Sequence, residues 1–207
     1  RFRISCIVFN LLTPGIIRLV ADWDKFLPHF HIPLQSGCDE ILGLMRRRYQ
    51  TQLFREKIGA IRDIIPEAFI GVDLIVGFPG EDEARFAKSL EFLRELDVSY
   101  YHAFSFSPRP GTPASSMQHQ VPGEVIKERS QRVQQLAEKK KRAFYTAFLN
   151  QTRPVLFEGS GKDEKSFGFT DNYIRVESTT SEPLQGTIKQ VRLQQINEQG
   201  TVEGIIL

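Results

Sequence analysis

Over the first two thirds of the chain, strand-like apolar runs alternate with amphipathic segments. "RFRISCIV" reads as a strand, and "TPGIIRLVAD" as a short helix with Thr13 as N-cap and Pro14 at its first position. "PHFHIPLQ" is the second strand. "DEILGLMRR" and "TQLFREKIGAIRDII" are helical, the latter capped by Thr51 and closed by Pro66. "FIGVDLIVGF" is the third strand, "EDEARFAKSLEFLREL" an amphipathic helix with acidic residues in its first turn, and "YYHAFSFS" the fourth strand. After a loop, "PRPGTPA", a long helix runs from Gly123 to about Leu149, with Ile126, Val133, Leu136, Ala137, Phe144 and Phe148 on one stripe. Repeated strand–helix units predict parallel strands joined by right-handed crossovers. From about residue 150 the pattern changes to short strands broken by Gly, Asn, Asp and Ser, which predicts a small all-β module. The expected organisation is α/β: a four-stranded parallel βα unit over 1–149, then a small β-barrel over 150–207.

Alternation along each strand sorts its two faces. Ser5 falls with Arg3 and Ile7, opposite Ile4, Cys6 and Val8. His31 and Gln35 oppose Phe30, Ile32 and Leu34, and Asp73 opposes Val72 and Leu74. Ala103, Ser105 and Ser107 oppose Phe104 and Phe106. One face is apolar and suits covering helices; the other mixes polar and small groups. A polar group buried without a partner costs about 1–3 kcal/mol, so Ser5, His31, Gln35 and Asp73 either bond one another or line a cavity for a polar ligand. "VGFPGED" follows the third strand, where Gly77 and Gly80 permit a tight turn; without a following GK[ST] it is not a P-loop.

The charge is nearly balanced, with 27 basic and 25 acidic residues, so any basic surface must be local. "RRR" at 46–48 and "EKKKR" at 138–142 are the candidates, each also readable as solvated surface. No apolar run is long enough for a membrane span. The two cysteines fit a reducing compartment; Cys6 should face the helices, and Cys38 lies at a helix start. They lack metal-ligand spacing.

"FLPHFHIPLQSGCDEILGLMRRRY", "FIGVDLIVGFPGE" and "SFSPRPGTPA", in this order, resemble the radical S-adenosylmethionine methylthiotransferases, nearest the branch acting on threonylcarbamoyladenosine beside the tRNA anticodon. The tail "GFTDNYIRVE…VRLQQINEQGTVEGII" resembles their TRAM module, an RNA-binding β-barrel. The resemblance implies that the first unit is part of a radical-SAM barrel, and that the chain is the C-terminal portion of an enzyme placing a methylthio group at C2 of that base. It implies S-adenosylmethionine and a [4Fe–4S] cluster as cofactors, although the cluster-binding CxxxCxxC does not occur in these 207 residues; this portion alone is therefore expected to be inactive. It also places Ser5, His31, Gln35 and Asp73 on the cofactor cavity, with Gly77, Phe78 and Pro79 at its rim. No residue is assigned as catalytic or as a metal ligand. In the β-module, Arg153, Asn172, Tyr173 and Arg175 are candidate RNA contacts, cations for phosphate and an aromatic for stacking. The expected partner is tRNA in the cytoplasm, with open sheet edges permitting a homodimer. A non-catalytic RNA-binding protein on a βα scaffold is the competing reading.

Overall fold

The computed structural model describes residues 1–160, 165–180 and 182–207. Its first part is a four-stranded parallel sheet in the order β1-β2-β3-β4: Phe2–Ile4, Phe26–Gln35, Phe69–Val76 and Tyr100–Ser105. Five helices, α1 (Pro14–Asp22), α2 (Asp39–Leu44), α3 (Thr51–Ile64), α4 (Glu83–Glu95) and α5 (Gly123–Thr146), complete this part. Phe30, Ile32 and Leu34 of β2, Ile70, Val72 and Leu74 of β3 and Tyr101 of β4 meet Ile17, Phe54, Ile58, Phe86, Leu90 and Val133 in one buried core. Each fully buried side chain of this kind stabilises by about 1.5–3 kcal/mol. The helices thus seal one face of the sheet.

Local signals set the helix ends. The Thr13 hydroxyl accepts from the Ile16 amide at 3.4 Å, and the Asp82 carboxylate caps α4 by accepting from the Arg85 amide at 2.8 Å. For α3 the expectation of a Thr51 cap is corrected. Gln50 holds the cap position, and Asp39 of α2 reaches across to accept from the Thr51 amide at 2.7 Å and its hydroxyl at 3.2 Å.

Two strands depart from simple alternation. β1 is a three-residue edge strand whose register shifts between Phe2 and Ile4. Beyond it the Ile7 amide donates to the His31 carbonyl at 3.1 Å, and Ile7 and Phe9 turn into the helix-side core. Cys6, expected to be buried, is therefore exposed, as is Ser5; a one-residue slip exchanges the faces. In β4 the register pairs Asp73 with His102 and Ile75 with Phe104. His102 and Phe104 thus share the open face, while Ala103 packs on the core and the Ser105 hydroxyl lies 3.1 Å from that of Ser130 in α5. This inverts the expected facing of β4.

The second part is a closed antiparallel-rich barrel, in the order β5-β6-β7-β9-β8: Thr152–Ser160, Lys165–Thr170, Arg175–Thr179, Val202–Ile206 and Ile188–Ile196. Val155, Phe157, Ile174, Val176, Val191, Leu193 and Val202 fill it. The run "SFGFTDNYIRVES" is two strands, β6 and β7, because the Thr170 amide bonds the Ile174 carbonyl across a turn.

That turn docks against the N-terminal end of the open sheet face. Arg153 pairs bidentately with Asp171, both contacts 2.8 Å, and donates to Glu67 at 2.7 Å. Asn172 donates to the Glu67 carbonyl at 3.4 Å. The Tyr173 ring meets His29 at 4.4 Å and Phe69 at 5.5 Å, with the Arg3 guanidinium 4.6 Å above it. Helix α5 reaches both parts, burying Val133 and Ala137 in one core and Tyr145 in the other.

Arg153→Ala is expected to cost on the order of 2–3 kcal/mol in urea unfolding, since it strands two carboxylates at the joint. His29 is buried with its Nδ1 unpartnered, and burial, reinforced by Arg3, lowers its pKa to about 4. The unfolded chain then takes up a proton between its ordinary value near 6.5 and pH 4 while the folded chain does not. Stability should fall by roughly 3 kcal/mol as pH drops through that window and stay level above it. Unfolding titrations of His29→Phe should lose this slope; an unchanged slope would refute the assignment.

Candidate functional site

The open face is graded along the strands. At their N-terminal ends it is closed by the joint around Tyr173. In the middle, His31 Nε2 and Asp73 Oδ1 lie 2.6 Å apart, and the His31 and His102 rings stack at 4.9 Å with an interplanar angle of 7°. Gly71, paired with His31 in the register, has no side chain to separate them. Burial, and then His31, hold the His102 imidazole below its ordinary pKa. At the C-terminal ends the face opens into a cavity of about 510 Å³ lined by Gln35, Asp73, Ile75, Phe104, Phe106 and Arg109, among others.

Gln35 reaches this cavity through a distortion. The pairing of β2 with β3 shifts between Pro33 and Gln35, and Gln35 takes φ +77°, in the left-handed region. Bulges of this kind re-aim side chains and cluster at functional sites. Such a conformation costs a non-glycine residue about 1–3 kcal/mol, so the strand keeps a polar side chain there against its local preference.

The turn after β3 forms the back of the rim. Gly77 has φ +82°, and an added Cβ would lie 2.3 Å from Ile126 Cγ1 of α5, so only glycine fits. The Gly77 amide donates to Glu81 at 3.0 Å. Glu81 in turn pairs with the buried Arg129 at 3.0 Å, while Arg129 also donates to the Glu81 carbonyl at 2.8 Å. Breaking such a buried pair costs about 3–5 kcal/mol.

Of the residues expected on the cavity, Gln35 and Asp73 line it and His31 sits behind Asp73. Ser5 does not join them; it lies beyond the short β1 and is exposed. Phe78 lines a neighbouring cavity, whereas Gly77 and Pro79 are buried in the turn. Among the expected RNA contacts, Arg153 and Asn172 are buried and bonded within the chain, at 8% and 0% exposure, so neither presents a group to solvent. Tyr173 is half-buried in the joint at φ +67°. Arg175 is exposed, its guanidinium 5.7 Å from the Phe167 ring. Sequence reasoning missed His102, Phe104 and Arg109. The first two become visible only once the register of β4 against β3 is known.

Among the described residues no group of three or more His, Cys, Asp or Glu side chains is placed to hold a metal ion, and no helix is long and apolar enough to cross a membrane. These residues thus offer no ligand set for an iron–sulfur cluster. The polar and aromatic lining of the cavity does fit an adenosine-like ligand.

Residues 1–93 match the Radical SAM superfamily. The chain is 34% identical over 197 residues to the threonylcarbamoyladenosine tRNA methylthiotransferase MtaB of Bacillus subtilis, a match covering 93% of this chain and 44% of that protein. It is 33% identical to the MtaB of Thermotoga maritima, over 98% of this chain and 46% of that protein. It is 42% identical to the tRNA-2-methylthio-N(6)-dimethylallyladenosine synthase of Thermobifida fusca, over 73% of this chain and 31% of that protein. Strands β1 to β3 and helices α1 to α3 thus fall within the segment that matches the Radical SAM superfamily. Over most of its length the chain is similar to these tRNA methylthiotransferases, and over residues 1–93 to the wider superfamily. It spans less than half the length of each of these three relatives.

Gln35→Gly should preserve or raise the melting temperature, because glycine relieves the left-handed strain, while weakening any ligand held in the adjoining cavity. Thermal unfolding together with ligand titration checks this; a fall in stability would show that the side chain is structural.

Proposed function

We propose that this chain supplies the cofactor-cavity wall and an RNA-contacting barrel of a tRNA methylthiotransferase acting on threonylcarbamoyladenosine beside the anticodon, at C2. The observation that carries the reading is the cavity itself: Asp73, Gln35 and Phe104 converge at the C-terminal ends of the strands, with Arg109 also in its lining. Coverage of the chain supports this choice of base. Both proteins named for threonylcarbamoyladenosine match over more than nine tenths of the chain, the dimethylallyladenosine enzyme over less.

In this reading Asp73 and Gln35 hold the polar groups of S-adenosylmethionine, and Phe104 and Phe106 its adenine. His31, bonded to Asp73 and stacked on His102, fixes the carboxylate that meets the ligand. Bound S-adenosylmethionine supplies the adenosyl group for hydrogen abstraction, and the apolar rim excludes water from it. Turnover is assigned to this chain only together with a cluster-ligating segment, because its sequence holds two cysteines. Arg175 is the remaining RNA contact on the small barrel, and a tRNA substrate implies the cytoplasm.

Calorimetric titration of the chain with S-adenosylmethionine should show binding, weakened about tenfold or more by Asp73→Ala. A gel-shift titration should show tRNA binding. RNA binding with no response to S-adenosylmethionine would favour the non-catalytic RNA-binding reading, and neither response would refute both.

A further inference from the structure

A second cavity, about 610 Å³, opens beside the first and shares Ile75, Thr112 and Ala114 with it. Its lining is apolar and polarisable: Met45, Phe78 and Met117 contribute, and Phe78 packs edge-on to Phe106 with ring centroids 5.3 Å apart. Thioethers and aromatic rings make favourable contacts with flat π systems. Arg46 and Arg47 stand on its margin, opposite in character to its floor. Unlike the buried Arg129 and Arg153, Arg46 and Arg47 are exposed and pair with no carboxylate among the described residues.

The backbone gives a second, independent sign. Helix α2 ends with the Arg47 amide donating to the Leu42 carbonyl and the Arg46 amide to the Gly43 carbonyl, both at 2.9 Å, with Arg46 at φ +56°. That left-handed position after a helix is where glycine is normally found. An arginine retained there keeps a cation at the cavity margin against the local backbone preference.

We propose that this second cavity takes one unstacked nucleotide of single-stranded RNA, its base against Met45, Phe78 and Met117 and its phosphates on Arg46 and Arg47. The proposal rests on the RNA-modifying reading above and adds to it an RNA subsite beside the cavity assigned to S-adenosylmethionine. Charge selects the occupant: a flat apolar floor under unpaired guanidiniums complements a base joined to phosphates.

The test uses fluorescence anisotropy of the whole chain with a labelled short oligoadenylate and with an abasic ribose-phosphate oligomer of equal length. The oligoadenylate should bind about 5- to 100-fold more tightly, the range expected for one stacked base. Arg46→Gly should leave the melting temperature unchanged or higher, weaken both oligomers, and reduce the salt slope for binding by about 0.7. Met117→Ala should weaken the oligoadenylate alone. Equal affinity for the two oligomers, or wild-type binding by Arg46→Gly, would overturn the subsite while leaving the RNA-modifying reading intact. Failure of the unsubstituted chain to bind either oligomer would overturn both.

Discussion

A parallel sheet has two faces, and here one layer of helices covers only one of them. The opposite face must be satisfied by other means, and most of the molecule's character follows from how that is done. At the N-terminal ends of the strands a second barrel is docked, its Tyr173 set among His29, Phe69 and Arg3. In the middle, His31 bonds Asp73 and stacks on His102. Only at the C-terminal ends does the face remain open, and there the cavities lie. Ligands of open α/β sheets bind in the same place, outside the carboxyl ends of the strands.

Strain is distributed along the same axis. Gln35, Arg46 and Tyr173 all occupy the left-handed region, at the first cavity, the second cavity and the joint respectively. Each keeps a long side chain where glycine would sit more comfortably. Gly77 is the reverse case: packing of Ile126 against it leaves no room for any side chain. The buried Glu81–Arg129 pair then ties that turn to α5, so the rim of the site is held by the helix that also carries the second barrel.

Much of this could be read from periodicity. The helix faces of β2 and β3, the cap at Thr13, and the shift to short strands near residue 150 are local properties of the chain. Asp73 was legible because alternation held along β3; alternation also named Gln35, but that side chain reaches the cavity through the register shift after Pro33. Alternation failed at β1, where a register shift on an edge strand turned Ile7 inward and Cys6 outward, and at β4, where pairing with β3 decides which side faces the helices. His102 was hidden by that second failure. Arg153 illustrates a different limit. Nothing near it in sequence announces Glu67, so a cation that looks available for phosphate is in fact consumed by the joint. Long-range pairings of this kind carry no periodic signal.

The position of the second barrel also sets a length. Phe69 at the start of β3 touches the joint, and Ile75 near its end lines the cavities. Six residues of strand separate them, roughly 20 Å. A ligand that engages both the joint and the cavity must bridge a span of that order. A free nucleotide is too short to do so. In the proposed function the fold would therefore act as a gauge: a polynucleotide meeting both places gains from both ends at once through effective concentration, while a mononucleotide occupies only one.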